Sequence, residues 1–390
     1  MSRQDYDVII IGAGASGFFC ALSALQRKRR VAVLEHRRQA LSKVSVSGGG
    51  NCNFTNLRAS ASNYCCADPD FPATALKKYS PQQLLAFLQK NGLRYYAKTP
   101  GRLFCRDGSQ ALIQILHRHT AGADFYHDCS LKKLDKAEDL FQLDTSAGKF
   151  SCRSLVVATG GLSFPQLGAD DLGYRIAKQF GLKIIPPRPA LVPWELSPDW
   201  RQKLAPLKGI SLPVVITCTN RSVQDDLLLT HFGLSGPAVL RSSLFWQPGM
   251  PIEINLLPSQ NCEEMLIAAR KEGSRKKAAT LLKAHLPERL VDFLTAEETR
   301  FLAETSTAAI KKLAASIHHW QLTPLRTTGF KSAEVTAGGV DTAAVSPQSF
   351  ACKNIPGLYF VGEVLDVTGD LGGYNLQWAF SSGYCAGLYV

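Results

Sequence analysis

The first forty residues alternate apolar runs with a glycine-rich turn. Residues 6–11 are apolar and rich in β-branched side chains, and the next six residues read Gly-Ala-Gly-Ala-Ser-Gly. Residues 18–28 then place apolar side chains at helical spacing, and a second apolar run at 31–34 ends at Glu35. Strand, glycine turn, helix and strand in this order predict a βαβ unit, which requires a parallel sheet.

The rest of the chain predicts an insertion within this α/β domain. Apolar runs at 155–158 and 358–361 predict two further buried strands. Residues 186–198 contain five prolines, which are typical of a chain leaving one domain for another. Residues 191–257 alternate strand-like runs with turns, and residues 260–320 show helical periodicity. We therefore expect a βαβ domain that begins at the N-terminus and is completed only by the last residues.

The glycine turn gives the strongest local indication of a ligand. Gly12 permits a tight turn, Gly14 lets the backbone approach a pyrophosphate, and Gly17 lets helix and strand pack closely. The helix N-terminus offers free N–H groups to phosphates. Glu35 suits ribose hydroxyls and disfavours a 2′-phosphate, which predicts FAD or NAD(H) rather than NADP(H); the alternative is a purely structural turn. The candidate cofactor-binding residues here are Gly12, Gly14, Ala15, Ser16, Gly17 and Glu35.

A second glycine-rich segment favours FAD over NAD. Residues 45–56 read Ser-Val-Ser-Gly-Gly-Gly-Asn-Cys-Asn-Phe-Thr-Asn, and the three glycines predict a loop whose backbone lies flat against a planar ring. An NAD dehydrogenase has no use for such a loop at this position. The candidate residues of this loop are Ser47, Gly48, Gly49, Gly50 and Asn53.

The C-terminal region supplies the remaining expected cofactor contacts. Residues 372–375 open an apolar helix running to about residue 389, whose N-terminus would stabilise the negative charge that reduction places on the flavin N1/C2=O edge. Glu363 and Asp366 are alternatives for holding the ribityl hydroxyls. Each feature alone is compatible with a capped loop or helix, and together they favour FAD. The candidates of this region are Gly362, Glu363, Asp366, Gly373, Tyr374 and Asn375, and a further candidate is Gly160, which follows the predicted strand at 155–158.

Composition and charge narrow the class of protein. The chain has 390 residues, of which 45% are hydrophobic and 19% charged, so disordered and fibrous classes are excluded. Its formal net charge of +12 favours an anionic partner, with a solvated basic surface as the alternative. Eleven cysteines without a C-x-x-C pair indicate free thiols in a reducing cytoplasm. Glycines interrupt the apolar stretch at 8–25, so we expect no secretory signal and no membrane span.

Several long motifs resemble those of one flavoprotein family. They are the segments at 12–17, 47–56, 158–163, 228–238, 333–340 and 357–375. They are similar to motifs of the YhiN/BaiN-type flavoproteins over almost the whole chain. Leu103-Phe104-Cys105 further resembles the branch that includes the bacterial 23S rRNA dihydrouridine synthase. One departure is Asn51, where the family loop commonly carries arginine. Other branches are associated with amine oxidation or enone reduction, so the resemblance leaves the substrate open.

The resemblance also implies a domain plan. It implies an α/β chain whose FAD-binding Rossmann domain, of glutathione-reductase type, is formed by 1–190 and 335–390. A β-rich domain is expected from 191–259 and 321–334, and a small helical insert from 260–320. The sequence contains neither a second G-x-G-x-x-G nor a redox cysteine pair of the C-x-x-C type. NADH or NADPH is therefore expected to reduce the flavin transiently, at the site that the substrate later uses.

For the uridine substrate that the resemblance implies, the sequence offers three candidate proton donors and one basic segment. Reducing a uracil double bond needs a proton donor beside the flavin. The candidates are Cys105, His231 and Cys52. The alternative for each cysteine is a buried structural thiol, and the alternative for the histidine is a role in fixing a turn. Residues 270–289 carry seven basic and two acidic side chains, which suits either a phosphate backbone or a solvated face. No metal is expected, because these histidines lack partners at ligand spacing: His117, His119, His318 and His319.

The resemblance, together with the net charge of +12 and the basic segment, implies a cytoplasmic FAD enzyme that reduces a uridine of 23S rRNA, or of a ribosomal precursor particle, to dihydrouridine. A small-molecule flavin oxidoreductase, either an amine oxidase or an enone reductase, is the first alternative. A flavin-bearing RNA-binding factor without turnover is the second.

Overall fold

A computed structural model describes residues 4–99 and 101–390 and divides them into two compact units. The first unit contains the described residues up to Pro189 together with Glu334–Val390, and the second is Ala190–Ala333. The first boundary lies inside the proline-rich stretch at 186–198, where the sequence predicts a chain leaving one domain for another.

The first unit begins with eleven strands and six helices. The strands are β1 (Gln4–Ile11), β2 (Val31–Leu34), β3 (Asn53–Asn56), β4 (Tyr64–Cys65), β5 (Tyr95–Thr99), β6 (Arg102–Cys105), β7 (Asp124–Tyr126), β8 (Leu131–Ala137), β9 (Leu140–Thr145), β10 (Gly148–Val157) and β11 (Ile184–Ala190). The helices are α1 (Ala15–Gln26), α2 (Ser42–Val46), α3 (Asp70–Lys78), α4 (Pro81–Lys90), α5 (Ser109–His119) and α6 (Leu172–Gln179).

The second unit follows, and the chain then returns to the first. The strands of the second unit are β12 (Trp194–Glu195), β13 (Ser211–Cys218), β14 (Arg221–Leu229), β15 (Gly233–Ser235), β16 (Ile252–Asn255), β17 (Trp320–Leu322) and β18 (Arg326–Thr327). Its helices are α7 (Pro198–Leu204), α8 (Pro237–Ser242), α9 (Cys262–Lys271), α10 (Ala278–Leu282), α11 (Glu288–Leu294) and α12 (Thr307–His318). The returning elements are β19 (Val335–Val340), β20 (Leu358–Phe360), β21 (Thr368–Gly369) and α13 (Tyr374–Gly387).

The largest sheet of the first unit has the order β7-β2-β1-β10-β9-β8, and β20 also pairs with β10. The pairs of β1 with β2 and β10, of β2 with β7 and of β10 with β20 are parallel. All four residues of β2 and all three of β20 are buried, as expected for parallel strands covered on both faces. The predicted α/β class and the β1–α1–β2 unit are therefore confirmed.

The first and last helices of the first unit pack closely because glycines remove side chains between them. A Cβ on Gly383 of α13 would overlap the backbone of Ser16 in α1, and one on Gly387 would lie 2.6 Å from the carbonyl oxygen of Cys20. Trp378 Nε1 donates to the carbonyl of Gly362 over 3.0 Å. These contacts bring the C-terminal segment beside the glycine turn, so residues from both ends of the sequence form one site.

The second unit is built on one antiparallel sheet with the order β17-β16-β13-β14-β15-β12-β18. Its buried core combines side chains of the sheet, such as Ile216 and Ile254, with side chains of the helices, such as Leu266, Leu290 and Ile310. The segments expected as a β-rich domain and a helical insert thus share one core and one unit. In the described part of the chain, no helix has the length and apolarity needed to cross a membrane.

Candidate cofactor site

The three glycines of the first turn have different structural surroundings. Gly12 has φ +107°, and a Cβ there would lie 2.5 Å from the carbonyl oxygen of Ala158. A Cβ on Gly17 would overlap the carbonyl oxygen of Gly12, whereas one on Gly14 would meet no atom within 4 Å. Gly12 and Gly17 are therefore required by the turn itself, and Gly14 borders open space at the N-terminus of α1, where a phosphate is expected.

Glu35 lies immediately after β2 and holds the glycine turn. Its Oε2 accepts a hydrogen bond from Ala13 N over 2.9 Å, and its Oε1 accepts one from Arg37 N over 2.9 Å and lies 3.1 Å from His36 Nδ1. Burial alone would raise the pKa of Glu35, but the hydrogen bonds from His36, Ala13 and Arg37 outweigh it and lower the pKa. The carboxylate is therefore charged at neutral pH and fixed at the strand end where the ribose is predicted.

A polar cavity of about 480 Å³ opens beside this strand end. Its volume lies within the range of small-molecule and cofactor sites. Two of its lining residues are arginines, so it favours an anionic ligand over an apolar one. The lining residues are Arg37, Arg38, Gln39, Ser42, Ser45 and Leu167.

The second glycine segment forms a left-handed loop between α2 and β3. Gly48, Gly49 and Gly50 have φ of +57°, +66° and +89°, and a Cβ on Gly49 or Gly50 would meet no atom within 4 Å. Ser47 Oγ donates to the carbonyl of Val44 over 2.8 Å, which holds the start of the loop. The loop combines a backbone conformation that favours glycine with open space beside it, as a bound planar ring requires.

The structure brings two predicted catalytic residues together behind this loop. Cys105 N donates to the carbonyl of Cys52 over 3.2 Å, the two thiols contact each other, and both residues are completely buried. The contact with Cys105, aided by Ser47, lowers the pKa of Cys52 despite its burial. The same contact and burial raise the pKa of Cys105. In this contact the Cys105 thiol donates and the Cys52 sulfur accepts.

The N-terminus of α13 is tied to the same region. With its amide oriented by its partners, Asn53 accepts a hydrogen bond from Gly373 N over 3.1 Å and donates to the carbonyl of Leu103 over 3.0 Å. Asn375 binds both the N–H and the carbonyl of Gly369, over 2.8 and 2.9 Å. Tyr374 is buried at the first helical position. Asn53 and Asn375 therefore fix the turn that aims the N-terminus of α13.

Glu363 binds a lysine, a serine hydroxyl and a backbone N–H for which the sequence predicts no role. Its Oε2 lies 2.6 Å from Lys43 Nζ, and its Oε1 accepts hydrogen bonds from Ser163 Oγ over 2.9 Å and from Thr336 N over 2.8 Å. Lys43 Nζ also donates to Ser163 Oγ over 2.6 Å. This cluster, here called the Lys43–Glu363 junction, connects four segments that are distant in sequence. A pairing of this kind carries no local sequence signal.

The other candidates of the C-terminal region line the same part of the first unit. Gly160 has φ +77° and borders open space. Gly362 N donates to Ser382 Oγ over 3.0 Å, and a Cβ on Gly362 would lie 2.6 Å from Ser16 Oγ. Burial raises the pKa of Asp366, with partial compensation from the N–H of Gly338. Their roles toward a cofactor stay predictions.

His231, the third candidate proton donor, belongs to the second unit. It is exposed in the turn between β14 and β15, with its ring edge-on to Phe232 at 5.0 Å. Thr230 N donates to the carbonyl of Gly233 over 2.8 Å and closes this turn. Its catalytic role stays a prediction. Within residues 4–99 and 101–390, no three His, Cys, Asp or Glu side chains gather as metal ligands.

A protein-family model described as the HI0933-like protein Rossmann domain matches residues 6–389. The chain belongs to the HI0933-like family. It is 40% identical to "Ribosomal RNA dihydrouridine synthase" of Haemophilus influenzae over 392 residues and to the protein of that name in Escherichia coli over 395 residues, with 98% of each chain covered. It is 28% identical to "3-dehydro-bile acid delta(4,6)-reductase" of Clostridium scindens over 398 residues, with 97% of both chains covered.

Family membership and site geometry agree on the cofactor class. The nucleotide turn leaves open space at Gly14, the second loop leaves it at Gly49 and Gly50, and Gly160 adds a third opening. At each of these positions a side chain larger than that of glycine would project into the open space where the cofactor is expected. The chain is an FAD-dependent oxidoreductase, and the expected resemblance and cofactor are confirmed at this level.

Proposed function

We propose that this chain reduces a uridine of 23S rRNA to dihydrouridine, with NADH or NADPH as electron donor, in the cytoplasm. The observation that carries the proposal is the 40% identity over 98% of both chains to two proteins named for that activity. An identity of this extent covers both units, and it therefore includes the parts that contact substrate as well as the cofactor domain.

Bound FAD supplies hydride chemistry, and the chain has to supply a proton to the second carbon of the uracil double bond. Of the candidates, Cys52 is the stronger acid, because its contacts with Cys105 and Ser47 lower its pKa, whereas the contact with Cys52 and burial raise the pKa of Cys105. Both thiols are buried, whereas Ser47, which contacts Cys52, stands half-buried on the loop. We assign proton delivery to Cys52 through Ser47, with the Cys105 thiol stabilising the Cys52 thiolate that is left. Cys52→Ser should then slow reduction of uridine and leave reduction of the flavin by nicotinamide unchanged in single-turnover measurements.

The basic segment at 270–289 supports an RNA substrate, because several of its basic side chains have no role in the contacts that the segment makes within the described part of the protein. Three others do make such contacts. Arg270 donates to the carbonyl of Thr305, Arg289 donates to that of Pro206, and Lys283 pairs with Glu288 at 2.7 Å. Four basic residues remain exposed around the loop between α9 and α10, and we assign the phosphate contacts to them: Lys271, Arg275, Lys276 and Lys277.

Changing Arg275, Lys276 and Lys277 together to Glu tests this assignment. Each lost phosphate contact should lower the magnitude of the negative slope of log affinity against log salt by about 0.7 to 0.9. A 23S rRNA fragment titrated at several salt concentrations measures the slope, and flavin content is the control. A slope equal to that of the parent protein would place the phosphate contacts elsewhere.

The experiment that tests the whole proposal is deletion of the gene followed by mapping of dihydrouridine in 23S rRNA. Loss of one modified site, restored by the parent gene, supports the proposal. An unchanged map refutes it.

The second candidate function is reduction of a small enone. The observation in its favour is the 28% identity over 97% of both chains to the bile-acid reductase. Purified protein offered both substrates under the same reducing conditions separates the two functions. Turnover of a steroid enone without turnover of rRNA would select the second.

A further inference from the structure

The sheet β3–β6–β5 of the first unit presents an aromatic surface to solvent. Tyr96 and Phe104 lie opposite one another in the β5–β6 ladder, and their rings are stacked with centroids 5.6 Å apart. Tyr96 is 37% exposed, and every residue of β5 is exposed. Isolated exposed hydrophobic side chains are ordinary, whereas grouped aromatic rings on an edge strand mark a binding surface.

Basic side chains flank this aromatic pair. Arg102 stands two residues before Phe104 in β6, so it shares the face of that ring, and Arg106 lies in the turn directly after β6. Arg106 is exposed, and Lys98 is exposed on the edge strand. The neighbouring acid, Asp107, is neutralised by Arg94, whose Nε donates to its Oδ2 over 2.8 Å. The surface is therefore positive around an aromatic centre.

The same sheet is joined to the part of the candidate cofactor site where the flavin ring is expected, here called the ring end. Asn56 Nδ2 donates to the carbonyl of Gly372 over 3.1 Å, and Asn53 accepts from Gly373 N over 3.1 Å. The side chain of Arg102 lies directly against Gly372. A strand of nucleic acid on this sheet would consequently run toward the N-terminus of α13.

We propose that this face of the β3–β6–β5 sheet binds single-stranded RNA, with an unpaired base stacked on Tyr96 and phosphates held by Arg102, Arg106 and Lys98. Stacking on exposed aromatic side chains of a sheet, with cations along the backbone path, is how many proteins hold unpaired nucleotides. The positive charge around the rings complements phosphate. The inference rests on the proposed function and adds to it an RNA contact surface in the first unit.

The test uses fluorescence anisotropy with a labelled oligouridine of about ten nucleotides, since single-strand sites span roughly 4 to 16 nucleotides. Tyr96→Leu should weaken binding by about tenfold, because it removes one stacking platform. Tyr96→Phe should bind like the parent protein. Tyr389→Leu is the matched control, because Tyr389 is 45% exposed outside this sheet.

Salt dependence separates the roles of the side chains. Arg106→Gln should lower the magnitude of the log–log salt slope by about 0.7, the value for one phosphate contact on a single strand. Tyr96→Leu should weaken binding without changing that slope, because stacking releases no counterion. Thermal unfolding and bound flavin, measured for every variant, identify a variant that has simply lost its fold.

Each alternative result overturns the inference in a recognisable way. Equal oligouridine affinity of Tyr96→Leu and the parent protein would remove the stacking site while leaving the rRNA map, and thus the proposed function, intact. Equal affinity for a duplex of the same length would refute recognition of unpaired bases. A change in oligomeric state of Tyr96→Leu with unchanged RNA affinity would assign the face to a second copy of the chain. Failure of the proposed function itself shows in the dihydrouridine map alone.

Discussion

The two ends of the candidate flavin site are built from the chain in different ways. At the nucleotide end, β1, the glycine turn, α1 and β2 follow one another in sequence, and Glu35 closes the turn by accepting from Ala13 N. At the ring end, distant segments meet: Cys52 contacts Cys105, and Lys43 pairs with Glu363. Backbone geometry therefore determines the nucleotide end, whereas side-chain partners determine the ring end. Substitutions at the two ends should fail for different reasons.

The largest effect is expected for Gly17→Ala. At an exposed helical position this change stabilises a helix by up to about 1 kcal/mol. Here the new Cβ would overlap the carbonyl oxygen of Gly12, so we expect a net loss of about 3 kcal/mol in the free energy of unfolding of the apoprotein. Denaturant unfolding of flavin-free protein measures it.

Gly14→Ala is the matched control three residues away. Gly14 has φ −87° and open space around its missing side chain, so alanine fits the apoprotein. Its methyl group would project into the expected pyrophosphate position and weaken FAD binding. Gly14→Ala should therefore leave the free energy of unfolding of the apoprotein unchanged and lower the affinity for FAD relative to the parent protein. Unchanged FAD affinity would show that the pyrophosphate does not lie beside Gly14.

The nucleotide end was predictable because its information is contiguous. Spacing alone identifies Gly12, Gly14 and Gly17, and the end of the next apolar run identifies Glu35. The strands, α1 and the start of α13 follow from apolar periodicity and glycine positions. The structure differs at both ends of α1. The helix begins at Ala15 rather than at residue 18, because the turn itself supplies the first helical residues, and it ends at Gln26 rather than at residue 28.

The ring end and the second unit were less predictable because they depend on contacts between distant segments. Cys52 and Cys105 were proposed separately, and only the antiparallel register of β3 and β6 brings them together. Nothing in the sequence pairs Lys43 with Glu363, which are 320 residues apart. The shared core of the second unit likewise depends on helices α9–α12 packing against its sheet, a contact that helical periodicity does not reveal.

A smaller effect is expected at the Lys43–Glu363 junction. Glu363→Ala removes the acceptor for Thr336 N and Ser163 Oγ, which should cost about 2 kcal/mol of unfolding free energy. The side chain of Lys43 is 37% exposed, so loss of the ion pair contributes less than loss of these two hydrogen bonds.

Lys43→Met, alone and combined with Glu363→Ala, separates the two contributions in a double-mutant cycle. A small coupling energy between positions 43 and 363 is expected, because the ion pair is partly solvated. A coupling as large as the whole effect of Glu363→Ala would make the ion pair, rather than the hydrogen bonds, the main stabilising contact.

The smallest effect is a pH dependence at the nucleotide end. The pKa of Glu35 is lowered in the folded protein, so its contribution is present above the unfolded value of about 4.3 and is lost as the pH falls through the folded pKa. The hydrogen bond to Glu35 raises the pKa of His36, so that contribution is complete below about 6.5 and is lost as the pH rises through the folded pKa. Both contributions are fully present only between these two values.

In a plot of unfolding free energy against pH, Glu35→Gln should therefore flatten both the acid limb and the high-pH limb. It should also lower the maximum unfolding free energy by about 1 kcal/mol, because glutamine cannot accept from both backbone N–H groups. His36→Gln should remove the high-pH dependence and also weaken the acid dependence, because His36 is one of the groups that lower the pKa of Glu35. Denaturant midpoints of the two apoprotein variants and the parent protein, measured from about pH 3 to about pH 8, give both limbs. An unchanged acid limb in Glu35→Gln would mean that this carboxylate does not close the turn. The nucleotide end would then depend on its glycines alone, and the contrast with the ring end would be sharper still.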